Sequence, residues 1–151
     1  MQALAKPARA RTDGGNEELS AISTDDIVGG GPGDLARLHI TTEGPDGRIV
    51  VGSLSGEVDQ SNANALLKAL AGAVPNTAIG VVVDCTNLRY VDSAGVYIVF
   101  TLARRLEAHQ QRLAVAATPG SHVEQVLRLT EVLQVAGLYA TRQEAIDALA
   151  E

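Results

Sequence analysis

Hydrophobic spacing becomes regular at Leu35. In LARLHITT, residues 35–42, Leu38 and Ile40 alternate with polar neighbours, the period of a half-buried strand. GPDG at 44–47 is turn chemistry. IVVGSLSGEVD, residues 49–59, follows as a second strand that pairs with the first in a hairpin. SNANALLKALAGAV then sets Ala63, Leu66, Leu67 and Leu70 at helical spacing, and Pro75-Asn76 ends that helix. AIGVVVDC, residues 78–85, is a short β-branched run of the kind buried on both faces of a parallel sheet. AGVYIVFTLARRLEAHQQ predicts a helix with a core stripe of Val96, Val99, Ala103 and Leu106. RLAVAA, residues 112–117, is another buried strand. TPGSHVEQVLRL opens a helix with Ser121 and Glu124 at capping-box spacing. VLQVAGLY, residues 132–139, is the last strand. TRQEAIDALA repeats the capping box with Thr141 and Glu144 and ends the chain as a helix.

The order is β-β-α-β-α-β-α-β-α. Strands alternating with helices need crossover connections, so the sheet is largely parallel, with the first hairpin antiparallel. The expectation is one α/β domain over residues 35–151, with about five strands and about four helices. In such sheets the functional surface lies at the carboxyl ends of the strands. Asp59, Asp84 and the pair Asp92-Ser93 fall at that edge.

Residues 1–34 differ from the rest. They hold Gly-rich stretches, GGGPG at 29–33 among them, and scattered charge, which predicts a flexible tail. EELSAISTDDIV within it has enough aliphatics for a short helix against a partner. Aromatics are 3% of the chain, so the core must be built from Leu, Val, Ile and Ala. A formal net charge of -6 argues against a basic nucleic-acid footprint. The single cysteine, Cys85, rules out an internal disulfide framework, and its commonest fate is burial as an inert thiol. His39, His109 and His122 lack metal-ligand spacing. No apolar run is long enough for a membrane span, and the first residues lack an apolar signal core, so a cytoplasmic protein is expected.

The small polar knot Asp92-Ser93-Ala94-Gly95, set between a strand and a helix, allows three kinds of chemistry. A nucleophilic serine needs a base and an oxyanion hole. The surrounding sequence is not the Gly-x-Ser-x-Gly elbow, and His122 is the one imidazole within plausible reach. Asp59, Asp84 and Asp92 are candidate Mg²⁺ ligands in principle, but acids at strand ends and helix starts are also ordinary caps. No phosphate-binding GxxxxGK[ST] loop is present, so no cofactor is expected. The third chemistry is modification. A phosphate on Ser93 would add about -1.5 to -2 charges beside Asp92 and repel a docked partner.

Three segments carry a family resemblance: LSGEVD at 54–59, VVVDCTNLRYVDSAG at 81–95, and Leu129 to Ala148 with its ATRQEAIDAL ending. From about residue 35 to 151 the chain resembles STAS domains of the bacterial anti-sigma factor antagonist family. The resemblance implies the STAS fold and a regulatory protein that is a kinase substrate rather than an enzyme. Its partners would be an anti-sigma factor with serine kinase activity and a serine phosphatase, with no direct contact to nucleic acid or membrane. It makes Ser93 the phosphorylation site. Asp59, Asp84, Asp92, Ala94, Gly95 and Tyr97 would form the partner-binding edge, the small residues leaving Ser93 open to a kinase cleft.

The chain departs from the family pattern at three places. Ala94 replaces a second serine, Tyr97 stands where a glycine is usual, and Glu131 stands where relatives often have glycine. Tyr97 shares a helix face with Thr101 and Arg104 and is a candidate partner anchor or a cover for a neighbouring loop. The alternative to sigma-factor control is a STAS scaffold or regulatory subunit of a stress-sensing or transport complex.

Overall fold

The computed structural model describes the backbone of residues 21–24 and the whole of residues 36–151. Among these the strands are β1 (Ala21–Thr24), β2 (Ala36–Glu43), β3 (Ile49–Val58), β4 (Gly80–Val91), β5 (Arg112–Ala116) and β6 (Gly137–Tyr139). The helices are α1 (Ala63–Gly72), α2 (Ser93–Glu107), α3 (His122–Arg128) and α4 (Arg142–Ala150). The strands form one sheet in chain order, β1-β2-β3-β4-β5-β6. β1/β2 and β2/β3 pair antiparallel, and the remaining pairs are parallel. The α/β architecture, the antiparallel hairpin and the four helices agree with the sequence.

Alternation along each strand divides the core in two. Val81 and Val83 face α1, α2 and α3, joining Leu66, Leu70, Val99, Leu102, Leu106, Val123 and Leu127. Val82, between them, faces the other side with Ile49, Val51, Ala114 and Ala116, where Ala145, Ile146 and Leu149 of α4 cover it. The expected stripe of α2, Val96, Val99, Ala103 and Leu106, is buried throughout. Both predicted caps are formed. Ser121 Oγ accepts from Glu124 N at 3.1 Å, and Thr141 Oγ1 accepts from Glu144 N at 3.0 Å.

Three expectations change. β4 does not stop at Cys85 but continues through Thr86–Val91. Its pairing with β3 steps from Ser53↔Asp84 to Ser55↔Asn87 and from Gly56↔Leu88 to Glu57↔Tyr90, so β4 gains an extra residue at each step. Such bulges keep a strand paired while breaking the alternation that marks it in sequence. The last strand is only Gly137–Tyr139, because Glu131–Gln134 winds into a 3₁₀ turn. Thr130 sets that turn: its hydroxyl donates to Leu127 O at 2.8 Å and accepts from Val132 N at 3.3 Å. Within the stretch expected to be a flexible tail, Ala21–Thr24 forms a strand rather than a helix. The rest of residues 1–35 lies outside the described residues.

Candidate functional site

Three strand ends build one edge of the sheet. β3 runs into Asp59, β4 into Asp92, and β5 into the loop before α3. Asp92 and Ser93 are fixed by both backbone and side chain. Asp92 N donates to Val58 O at 3.2 Å, which ties the end of β4 to the end of β3. Asp92 Oδ1 then accepts from Ala94 N at 2.8 Å and Gly95 N at 3.3 Å, closing the first turn of α2 as its N-cap. Ser93 is therefore the first residue of the helix. It is exposed, and no described residue hydrogen-bonds its hydroxyl.

Gly95 is buried where α2 meets the ends of β3 and β4. A Cβ there would collide with Val91 Cγ2 and lie 3.2 Å from Val58 Cγ1. The glycine is thus needed for close approach of helix and sheet, and that approach holds Ser93 at the rim. Ala94 is half-buried, and Tyr97, one turn on, is 61% exposed.

Asp59 lies beside this rim in a tight turn of its own. Its Oδ1 accepts from Ser61 Oγ at 2.6 Å and Ser61 N at 2.9 Å. These hydrogen bonds, the side-chain one first, hold its carboxyl below the usual value of 3.8. The turn rests on Asn62, which is buried. Its Nδ2 donates to Glu57 O at 2.9 Å, and its Oδ1 accepts from Asp59 N at 3.1 Å. Asn62 was not singled out in the sequence. The signal available was an amide just ahead of a helical apolar period.

Asp84 does not join the exposed edge. It is 6% exposed, and its carboxylate accepts from Thr86 Oγ1 at 2.7 Å, Thr86 N at 3.0 Å and Ser53 Oγ at 3.4 Å. These bonds satisfy a buried charge and hold β4 through its first bulge, so Asp84 shapes the strand rather than facing a partner. Cys85, next to it, points into the opposite core at 5% exposure. Burial, reinforced by the Asp84 charge, pushes its thiol up to about 12.

The second bulge turns Tyr90 outward. It is 41% exposed and lies stacked on His122, the first residue of α3, with ring centroids 5.4 Å apart and planes 6° off parallel. His122 is thereby engaged with Tyr90, and no hydrogen bond joins it to Ser93 among the described residues. Among the described residues no base is hydrogen-bonded to the Ser93 hydroxyl. Among the described residues no cluster of three or more His, Cys, Asp or Glu could hold a metal ion. Nor is any helix among them long and apolar enough to cross a membrane. A cavity of about 410 Å³ opens at the far end of the sheet, beside Arg112, Gln134, Gly137 and Leu149, and shares none of Asp59, Asp92 and Ser93.

The profile of a family described as "Mlab, STAS domain" matches residues 41–140. A protein from Bordetella bronchiseptica named as an anti-sigma factor antagonist, BtrV, is 29% identical over 111 residues, covering 74% of this chain and 94% of its own. An anti-sigma factor antagonist from Mycobacterium paratuberculosis has a similar fold, with a TM-score of 0.64 at 24% identity over 76% of this chain and 95% of its own. The Bacillus cell fate determinant SpoIIAA, solved in a phosphorylated form, is 26% identical over 73% of this chain and 98% of its own, with a TM-score of 0.50.

Proposed function

Because the chain belongs to the STAS domain family, we propose that it is an anti-sigma factor antagonist switched by phosphorylation of Ser93. It binds an anti-sigma factor that is also a serine kinase, and binding releases a sigma factor in the cytoplasm. The kinase phosphorylates Ser93, the complex parts, and a serine phosphatase restores the free hydroxyl. Asp59, Asp92, Ala94 and Tyr97 form the docking edge around that hydroxyl, and Gly95, buried beneath it, sets the close helix approach that holds it there.

The observation that carries this reading is Ser93 itself. It is an exposed hydroxyl with no described hydrogen-bond partner, on the first residue of a helix anchored to two strand ends. A bare hydroxyl without a base suits a group that is acted upon better than one that attacks. The helix N-terminus tolerates a phosphate locally. The acids Asp59 and Asp92 make the added charge, about -1.5 to -2, repulsive to a partner seated over the edge. The existence of a phosphorylated form of SpoIIAA supports the same chemistry on this fold.

The test is a pull-down from native lysate with wild-type, Ser93→Ala and Ser93→Asp protein, followed by labelled ATP on the bound fraction. Wild type is expected to retain a kinase that labels it on Ser93. Ser93→Ala should retain the kinase without being labelled, and Ser93→Asp should release it. Equal retention of one unlabelling partner by all three would instead establish a STAS scaffold or regulatory subunit.

A further inference from the structure

Four side chains of this chain are Tyr or Phe, and the two exposed ones, Tyr90 and Tyr97, flank Ser93. Tyr97 follows the serine on the helix. Tyr90 precedes it and follows the second of two bulges in β4, still paired with Glu57 of β3. Bulges beside functional edges re-aim side chains. An aromatic ring held 41% exposed would normally turn inward to shed water. Here the ring lies parallel to and offset from His122, with 41% of the residue left open.

Along the two strands it is bordered by three acids and one arginine, Arg89. Glu57 is the cross-strand neighbour of Tyr90 in the β3/β4 ladder, and Asp59 and Asp92 directly follow the same two strands. Arg89 reaches Glu57 at 3.5 Å, but with side chains 69% and 37% exposed that pair is long and wet. Such a pair contributes little and exchanges readily. A π face beside carboxylates attracts a flat cation, and guanidinium both stacks on rings and pairs with carboxylate.

We infer that the Tyr90–His122 stack is a second docking contact, which receives an arginine side chain of the anti-sigma partner with Glu57 as counter-charge. The inference rests on the partner-binding function proposed above. It extends the docking surface from Ser93 across β4 to the start of α3, and it makes Tyr90 a specificity residue outside the phosphorylated turn.

The kinase recovered with the wild-type chain would be purified and titrated against full-length wild type, Tyr90→Phe, Tyr90→Ala and His122→Ala, with melting temperatures as folding controls. Tyr90→Phe keeps the ring and should bind within about twofold of wild type, whereas Tyr90→Ala should lose about tenfold or more. His122→Ala frees the ring and should fall between them. Treating the kinase with an arginine-selective dicarbonyl should lower its affinity for wild type to that of Tyr90→Ala and leave Tyr90→Ala unchanged. If Tyr90→Ala and Tyr90→Phe bind alike, or the reagent weakens both chains equally, the arginine contact is wrong while the proposed function stands. If wild type recovers no kinase, the function fails and this contact with it.

Discussion

Gly95 of α2 and Val91 of β4 are packed so closely that a Cβ on the glycine would collide with Val91 Cγ2. The contact joins the helix that carries Ser93 to the strand that delivers it. Alanine is the better helix former, so propensity alone predicts that Gly95→Ala stabilises the protein. Overpacking predicts the reverse, because both Val91 and the nearby Val58 belong to the buried core. A loss of about 1–3 kcal/mol in urea unfolding is expected. A neutral or stabilising result would mean that α2 slides freely on the sheet and does not fix Ser93.

Asp92 has a separable role as cap and as charge. Its Oδ1 takes two backbone N–H groups of α2. Asp92→Ala should cost about 1 kcal/mol, and Asp92→Asn, which keeps an acceptor, only a fraction of that. Measured side by side in denaturant, equal losses for the two variants would show that the charge, not the cap, stabilises this turn.

Where side-chain period and backbone agree, the elements were legible: β2, β3 and β5, the stripes of α1 and α2, and the capped starts of α3 and α4. β4 was read short because Thr86, Asn87 and Arg89 interrupt its apolar run, and the cause is two extra residues accommodated against β3. The stretch before β6 was read as strand because Val132, Leu133 and Val135 suit a strand as well as a 3₁₀ turn. The choice depended on the Thr130 hydroxyl. Ser93, Asp92 and Asp59 fell on one edge as expected, since strand ends in this topology converge. Asp84 did not, because the direction of a side chain at the end of an apolar run depends on register, here its pairing with Ser53. The Tyr90–His122 stack joins segments brought together only by the β5 crossover, which no local pattern reports.

The Asp59 turn should show in acid titration. Ser61 supports the charged carboxylate, so its folded pKa lies below the ordinary 3.8. A depressed value means that the stabilisation is full above the unfolded pKa and is lost as pH falls through the folded one. Ser61→Ala removes the side-chain hydrogen bond and should raise the Asp59 pKa toward its free value, as followed by carboxyl carbon NMR. An unchanged midpoint would show that the Ser61 hydroxyl does not hold Asp59 in solution.

Asn62 should be among the least replaceable polar residues. It is 1% exposed and joins Glu57 O to Asp59 N. Asn62→Ala leaves both backbone groups without this side-chain partner, at a cost of about 1–3 kcal/mol. Because the same bonds position Asp59, the variant should also weaken partner binding more than a surface change such as Lys68→Ala, which lies on the exposed side of α1. Binding reduced equally by both would separate Asp59 from the docking edge.

Cys85 gives a test at the other end of the pH scale. Its folded pKa, about 12 against an ordinary 9.0, reflects burial first and the neighbouring Asp84 charge second. The folded state therefore keeps a proton that the unfolded state loses, so stability should fall as pH rises from about 9 toward 12. Thiolate is the reactive form, and burial also denies access. Iodoacetamide at pH 8 should thus label the native chain only as fast as it opens, and the urea-unfolded chain promptly. Cys85→Ala removes the titrating thiol and should flatten the alkaline loss of stability, while leaving a small void beside Val83 and Leu88 in the same core. Rapid labelling of the folded protein at pH 8 would place a reactive thiol at the surface and contradict the packing of β4 described above.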